Sequence, residues 1–400
     1  MAQPISAEVA PVQAKSAREH RLDLFRGLAL AMMFIDHIWG TIYANYTLQA
    51  FGFTSAAENL VLISGMSAGL AYTAAFQSGG FVHGAGRILR RLWTIYLAHL
   101  TVVSLAVAIA LFSGLWLGLG GALELWDLSW ILVRPADFVI GTVTLTVHQI
   151  YGDILPLFVG LLALALAFVP LAIRWPALAL GASILLWLVA CHFQINLPRQ
   201  EGMGWTFNPF AWQLLFVIGL LAGIAMRRGR TFLGWRPFLF WACVIFVVVA
   251  FLVDVDPQRR LFGDWLYQSL AAEGAPEYLI GFDRTFLGLP IILHTLALAY
   301  VVSQVPLITR LAGSAAALPL RLLGRHALPV FVTATAIDFL LIAIRHATGF
   351  SALTDAVAIG LGLGAMLTAA IIADRLSPKG RSAGLAATLP QKEKQGQSPA

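Results

Sequence analysis

An arginine and a histidine lie eleven residues apart in the first long apolar segment of the chain, LDLFRGLALAMMFIDHIWG, residues 22–40. At about 100° per residue, eleven residues of α-helix return His37 to within roughly 20° of Arg26. The two then lie roughly 16 Å apart along the axis, at about 1.5 Å per residue. This spacing predicts a cation near one membrane surface and an imidazole about halfway across. Because ionisable groups are costly at that depth, the pair indicates a functional cavity.

Two carboxylates accompany this pair. Asp23 lies three residues before Arg26, which predicts an ion pair on the helix surface. Asp36 points about 80–100° away from His37 and is expected to contact another helix. In the structural alternative, the histidine is bonded within the core and the arginine snorkels to the lipid surface. Four ionisable groups within one short segment favour a functional site over that alternative.

A second polar cluster is the segment RILRRLWTIYLAH, residues 87–99. Its three arginines could be ordinary positive charge at the inner end of a membrane helix, and spacing alone favours that interpretation. The alternative is a site for the phosphate groups of a cytosolic donor, because arginine forks suit phosphate geometry. A histidine follows about two turns further in, and haem ligation between it and His37 is left open. The residues of this cluster are Arg87, Arg90, Arg91 and His99.

Further polar residues lie at membrane depth or at its edge. Each alone favours a structural role, but together they predict a polar cavity through the helix bundle. Small residues around Gly65 should also allow close helix approach. The polar set is Glu58, Asn59, Ser64, Ser67, His148, Gln149, Tyr151, Asp153, Asn208, Trp212, Gln213, Thr285, His294, His326 and Asp338.

The composition is that of a membrane protein. The chain has 400 residues, of which 59% are hydrophobic and 12% charged, and its mean hydropathy is +0.80. A soluble domain carries about 25% charged residues. Apolar runs of about 18 residues recur, which is the length that spans a hydrocarbon core. The two cysteines, Cys191 and Cys243, have neither zinc-site nor disulfide spacing, and the net charge of +6 is too dispersed for nucleic-acid binding.

The fold class predicted is an all-α polytopic membrane protein with about ten transmembrane helices. Nineteen of the 26 Lys and Arg residues fall in the predicted inner segments and six in the outer ones, which favours both termini inside. Long outer loops rich in Trp, Asp and Gly are expected at 118–151 and 254–285, with a short or re-entrant helix around 138–147. The helices are predicted at 23–44, 56–77, 92–117, 152–172, 174–193, 209–226, 236–253, 286–304, 326–346 and 353–374.

Three parts are predicted along the chain. Residues 1–20 lack the apolar core and the cleavage site of a signal peptide and are expected to form a disordered cytoplasmic arm. Residues 21–375 form a single transmembrane domain. Residues 376–400, rich in Lys, Gln, Ser and Pro, are expected to form a disordered cytoplasmic tail.

Several motifs resemble a known family. Arg26 and His37, with ten residues between them, match the pattern of the membrane-bound acyltransferase-3 superfamily. Arg87, Arg90 and Arg91 resemble its second basic motif, without the proline that ends that motif. More specifically, segments in the same order over about residues 19–375 resemble the OpgC family, inner-membrane acyltransferases linked to succinylation of osmoregulated periplasmic glucans. The segments are RLDLFRGLALAMMFIDHIWG, FGFTSAAENLVLISGMSAGLAY, RILRRLWTIYLAH, QIYGDILPLF, NPFAWQLLF and LGRHALPVF.

The resemblance implies a bacterial inner-membrane O-acyltransferase with an acyltransferase-3-like bundle. An acyl-CoA donor, expected to be succinyl-CoA, would place its phosphates near the arginine cluster and Arg26, with His99 nearby. His37 would act as general base on a hydroxyl of a periplasmic glucan or other glycan. No metal is implied, and the expected partners are the lipid bilayer, the donor and the glycan, with a homo-oligomer left open.

The remaining roles stay open at this point. Asp36, Glu58 or Asp153 would orient the His37 ring, with the last two favoured by their place in family-like motifs. The oxyanion donors are Asn59, Ser64 or His99. A carboxylated acyl group would need a cation near the thioester, and Arg26 lies too far along the helix. Two other classes compete, a transporter of a lipid-linked or anionic solute and a scaffolding subunit.

Overall fold

The computed structural model describes residues 19–116, 118, 122–125, 128–148, 151–199, 202, 204–255, 257–349 and 351–377. Over these ranges the regular structure is helical, apart from one isolated antiparallel bridge between Pro198 and Gly204. A helix satisfies its backbone hydrogen bonds internally, which is what a hydrocarbon environment demands. The predicted all-helical class is therefore confirmed.

Sixteen α-helices are described, and two short 3₁₀ segments, Ile42–Tyr46 and Leu48–Ala50, follow the first of them. The helices are α1 (His20–His37), α2 (Ala56–Trp116), α3 (Ala122–Leu125), α4 (Trp130–Val133), α5 (Pro135–Val143), α6 (Ile154–Arg174), α7 (Pro176–His192), α8 (Pro209–Arg227), α9 (Pro237–Val255), α10 (Pro257–Ala272), α11 (Glu277–Ile280), α12 (Leu289–Gln304), α13 (Pro306–Gly313), α14 (Leu318–Arg325), α15 (Ala327–Thr348) and α16 (Ala352–Leu376).

Five helices in the described part of the chain are long and apolar enough to cross a membrane, namely α2, α6, α8, α15 and α16. Helices α12 and α13, bent by 76° relative to each other, make a sixth if they are counted as one span. Helices α7 and α9 are apolar but shorter. A membrane protein is therefore supported, while ten spans with both termini inside stay a prediction.

Two predicted helices meet at Gly80 within the helical segment α2. Helix α2 continues through residues 78–91, where an inner loop was expected, and only Gly80 departs from helical geometry, with φ 69° and ψ −170°. Glycine reaches positive φ without a steric penalty, so the chain kinks there and resumes the helix at once. The arginine cluster consequently lies on a helix rather than in a loop.

The first helix is shorter at its C-terminal end than the predicted 23–44. It ends at His37, and Gly40 follows with φ 73° before the 3₁₀ segment begins. His37 is therefore the last residue of α1, and His20 is the first. The predicted depth of its imidazole, about halfway across the membrane, stays a prediction.

Both long outer segments contain helices. Helix α5 overlaps the helix expected around 138–147, whereas 254–285, expected as a loop, is largely α10 and α11. Pro257 stands at the start of α10, where its fixed φ favours a first helical turn. The terminal arm and tail fall mostly on 1–18 and 378–400, outside the described residues, and α1 and α16 extend to His20 and Leu376.

Glycines allow the central helices to cross at backbone distance. A Cβ on Gly223 would lie 2.0 Å from the carbonyl oxygen of Met66, and one on Gly65 would lie 2.1 Å from that of Phe216. Each helix carries two such glycines four residues apart, the spacing typical of close packing between membrane helices. The expected close approach around Gly65 is confirmed. The four glycines are Gly65 and Gly69 on α2 and Gly219 and Gly223 on α8.

A second close crossing joins α1 to α14. A Cβ on Gly27 would lie 1.8 Å from the carbonyl oxygen of Leu320, and one on Gly324 would lie 1.8 Å from that of Asp23. The short helix α14 therefore packs directly on the N-terminal half of α1. This crossing fixes the surroundings of Arg26.

Candidate functional site

The imidazole of His37 contacts a buried carboxylate from α15. His37 Nδ1 lies 3.1 Å from Asp338 Oδ2, and the Asp338 side chain is 0% exposed. An ionised carboxylate only accepts hydrogen bonds, so Nδ1 donates to it and Nε2 keeps its lone pair. With 18% of its side chain exposed, His37 is placed to take a proton from a bound hydroxyl.

A tyrosine ring covers the same imidazole. The rings of Tyr151 and His37 stack with their centroids 4.0 Å apart and their planes 18° apart. Tyr151 has φ 66°, which is rare for a residue other than glycine and is often found at functional sites. Burial, followed by the charge of Asp338, raises the pKa of Tyr151 to about 12, so its hydroxyl stays protonated.

The turn that carries Tyr151 is held by buried polar groups. The ring of His148 lies with Nε2 3.1 Å from the carbonyl oxygen of Leu145 and Nδ1 3.5 Å from Asp153 Oδ1. Arg199 donates to the backbone carbonyl of His148 at 3.2 Å. Asp153 therefore lies beside His148, among the polar groups that hold this turn.

The other two candidate carboxylates also have defined partners. Asp36 accepts a hydrogen bond from the hydroxyl of Thr47, which follows the first 3₁₀ segment. Glu58 is fully buried and accepts from the backbone N–H of Ser55 at 2.7 Å. The carboxylate that the structure places on His37 is Asp338, which corrects the expectation that Asp36, Glu58 or Asp153 orients the ring.

The sequence indicated a functional role for Asp338 only weakly. It is a single acidic residue in the otherwise apolar stretch TATAIDFLLIAI of α15, and it was one of many polar residues at membrane depth. Nothing in the sequence links it to His37. The pairing depends on how α15 packs against the C-terminal end of α1.

A buried ion pair fixes the chain directly after His37. Arg345 contacts Asp355 through two pairs of atoms, Nε to Oδ1 at 2.9 Å and Nη2 to Oδ2 at 3.0 Å. The same guanidinium donates to the carbonyl oxygen of Trp39. Arg345 lies seven residues after Asp338 on α15, on nearly the same helix face. Helix α15 therefore holds both the imidazole and the backbone that follows it.

Arg26 cross-links three helices at the other half of α1. Its guanidinium donates to the carbonyl oxygen of Gly324 at 3.2 Å and to the hydroxyl of Ser67. Asp23 Oδ1 lies 3.7 Å from its Nη1, so the predicted ion pair is confirmed. Arg26 and His37 thus share a helix but have separate sets of partners.

The arginine cluster divides into two faces of α2. Arg87 and Arg91, four residues apart, both lie close enough to the hydroxyl of Tyr72 for their charges to act on it. Arg90 instead donates to the backbone carbonyl of Gly86 on its own helix at 3.3 Å. The charges of Arg87 and Arg91 therefore both reach Tyr72.

His99 lies deeper along α2 and is buried. Its neighbours include Thr142 and His148. His99 therefore lies near the base of the Tyr151 turn.

The polar groups occur at different levels of the bundle. Glu58 and Tyr72 are fourteen residues apart on the first arm of α2, which is roughly 21 Å at about 1.5 Å per residue. Ser67, the partner of Arg26, lies between them. Tyr72 lies towards the Gly80 end of this arm, and Glu58 lies in its first turn.

These features define a class of protein, a helical membrane protein with a buried histidine–carboxylate pair between its helices. Residues 18–377 match the family described as OpgC protein. The chain therefore belongs to the OpgC family, a family of glucan succinyltransferases, which indicates acyltransferase activity. The resemblance to OpgC is confirmed, and the acyltransferase-3 superfamily placement stays a prediction. Searches of curated proteins and of solved structures found no significant match.

Proposed function

We propose that this protein is an inner-membrane O-acyltransferase that moves a succinyl group from succinyl-CoA to hydroxyl groups of a periplasmic glucan. Membership of the OpgC family supports acyl transfer to a glucan. The observation that carries the chemistry is the contact between His37 Nδ1 and Asp338 Oδ2 at 3.1 Å. It leaves the second ring nitrogen available as a general base.

The reaction at His37 is a direct transfer. Nε2 takes the proton of the acceptor hydroxyl while the hydroxyl oxygen bonds to the thioester carbonyl carbon. The tetrahedral intermediate collapses with cleavage of the C–S bond. The CoA thiolate leaves with the proton that Nε2 had taken, and His37 returns to its neutral form.

Asp338 and Tyr151 assist this proton transfer. The negative charge of Asp338 stabilises the imidazolium that forms during transfer. The face of the Tyr151 ring does the same, because an aromatic face attracts a cation. The protonated Tyr151 hydroxyl can also donate a hydrogen bond to an oxygen that becomes negative.

The donor is proposed to enter at the end of the bundle near the Gly80 kink, which lies between Tyr72 on the first arm of α2 and Arg87 and Arg91 on the second. The two guanidinium groups suit the phosphates of CoA. With ten spans and both termini inside, this end faces the cytoplasm and the end with His37 faces the periplasm. The pantetheine arm then extends along the bundle towards His37.

Purified protein with labelled succinyl-CoA and a periplasmic glucan extract tests the proposal. Label should appear on the glucan with wild type, and His37→Gln should reduce the rate by about 10²–10⁴-fold. His326→Gln is the matched control, because His326 Nε2 pairs with Asp374 Oδ1 at 2.9 Å elsewhere in the chain. It should keep the wild-type rate.

Three results would reject the proposal. Equal loss in both histidine variants would attribute the effect to stability rather than to a base at His37. No binding or consumption of donor with any glycan acceptor would exclude acyl-CoA as the substrate. Solute flux through proteoliposomes without a donor would favour a transporter.

A further inference from the structure

Glu58 presents a buried carboxylate oxygen that accepts no hydrogen bond within the described residues, although Arg284 lies beside it. The residue lies in the first turn of α2 and is fully buried. Its Oε2 accepts from Ser55, but within the described ranges Oε1 accepts no hydrogen bond. Leaving a buried charged oxygen without a donor is costly. The site therefore favours a ligand that donates a hydrogen bond.

The nearest cation is Arg284, which lies at a more open position. Its Nε is 3.5 Å from Glu58 Oε1, and its side chain is 44% exposed. The guanidinium also lies close enough to Asp36 for their opposite charges to attract. Asp36 directly precedes His37, so this group of charges adjoins the proposed base.

Two tryptophans fix the backbone that presents Arg284. The indole N–H of Trp212 donates to the carbonyl oxygen of Arg284 at 2.7 Å. The indole N–H of Trp187 donates to the carbonyl oxygen of Phe286 at 3.2 Å. The side chain of Asp283 accepts from the backbone of the next residues, at 2.8 Å from the N–H of Thr285. These bonds fix the backbone of the turn, which presents the half-exposed Arg284 side chain beside Glu58.

We propose that Glu58, Arg284 and Asp36 form a binding subsite for a neutral sugar ring of the acceptor. One sugar hydroxyl donates to Glu58 Oε1, and a neighbouring hydroxyl accepts from the guanidinium of Arg284. Sugar hydroxyls can do both, because each is a donor and an acceptor. A further hydroxyl of the same chain can then reach His37. This inference rests on the proposed function and identifies where the acceptor glucan binds.

The charges argue for a neutral ligand rather than the succinyl carboxylate. Glu58 pairs with the guanidinium and Asp36 lies within reach of its charge, so the local charge is negative if all three groups are ionised. A third carboxylate would be repelled by the first two. A neutral polyol is not repelled by the carboxylates. Its hydroxyl groups can hydrogen-bond to both the carboxylate and the guanidinium.

Steady-state rates with a neutral glucan oligosaccharide and labelled succinyl-CoA test the subsite. Glu58→Gln and Arg284→Gln should each raise the apparent KM for the glucan by about tenfold or more, because a hydrogen bond to a charged group contributes about 1.5–3 kcal/mol. The donor KM should stay unchanged, and Arg284→Lys should recover part of the loss. Arg134→Gln is the matched control, since Arg134 pairs with Asp137 at 3.7 Å on an exposed surface.

A rise in the donor KM, with loss of preference for succinyl-CoA over acetyl-CoA, would overturn the proposal and assign Arg284 to the acyl group. Binding of the same oligosaccharide is also measured without succinyl-CoA. This measurement tests the subsite independently of the proposed acyl transfer. Binding that is lost in both Gln variants supports the subsite even if no acyl transfer is found. Equal binding in wild type and in folded variants, including Arg284→Lys, would reject the subsite alone.

Discussion

His37 and Asp338 are 301 residues apart in the sequence, and their side chains meet at 3.1 Å. The first is the last residue of α1, and the second lies within α15. Because Asp338 is fully enclosed, its charge acts on the imidazole with little screening by solvent. The pair therefore fixes both the tautomer and the orientation of the ring.

Asp338→Asn should lower turnover without raising the KM of either substrate. The amide can donate to Nδ1 and so favour the tautomer that lacks a lone pair at Nε2. The expected loss is up to about 10⁴-fold, the cost of the equivalent change in a Ser–His–Asp triad. Single-turnover transfer of labelled succinyl groups measures it.

The control for this variant is Asp374→Asn, which removes the carboxylate of the His326–Asp374 pair. It should transfer at the wild-type rate. Wild-type turnover in Asp338→Asn, together with loss in Asp153→Asn, would assign the orienting role to Asp153 instead.

Tyr151 should act through its ring more than through its hydroxyl. Tyr151→Phe keeps the stack on His37 and should retain most of the turnover, whereas Tyr151→Leu should lose about 2- to 10-fold. That range corresponds to the roughly 0.5–1.5 kcal/mol of an aromatic pair. Equal losses in both variants would show that the hydroxyl carries the role.

We expect Arg87 and Arg91, but not Arg90, to bind the CoA donor. Arg87→Gln plus Arg91→Gln should raise the apparent KM for the CoA donor by about tenfold or more, since each charged hydrogen bond contributes about 1.5–3 kcal/mol. Arg90→Gln should leave it unchanged, because Arg90 is directed to its own helix. The donor KM at saturating glucan is the measurement. A larger effect of Arg90 would move the donor site to the other face of α2.

The crossing of α2 and α8 should tolerate no side chain at Gly223. A Cβ there would lie 2.0 Å from a backbone oxygen, so Gly223→Val should destabilise the protein by about 1–3 kcal/mol or more. Gly181→Ala on α7 is the control, because a Cβ there meets nothing within 4 Å. It should be neutral or stabilising, since alanine favours helix over glycine by about 1 kcal/mol. Thermal unfolding in detergent compares them, and equal midpoints would contradict the close crossing.

Much of the architecture could be predicted because it depends on local sequence. Apolar runs predicted helices, and the described helices coincide closely with most of the predicted segments. The Asp23–Arg26 pair was predicted because a spacing of three residues places both side chains on one helix face. The order of several motifs was sufficient to indicate the OpgC family.

Element boundaries were less predictable for a physical reason. Hydropathy extended the first helix past His37 because the following residues are also apolar, whereas the backbone turns at Gly40. In α2, the polar run around Arg87 resembled a loop, yet the helix continues with a kink at Gly80. In both places a glycine with positive φ lies at the turn or the kink.

By itself the sequence determined the helical membrane class, the family and the candidate base His37, because these depend on composition, periodicity and motif order. Only the tertiary structure decided which carboxylate meets that base, which ring covers it and which arginines share a face. Such contacts join segments up to 301 residues apart. They depend on how closely helices pack, and that packing is set by glycines whose partners lie elsewhere in the chain.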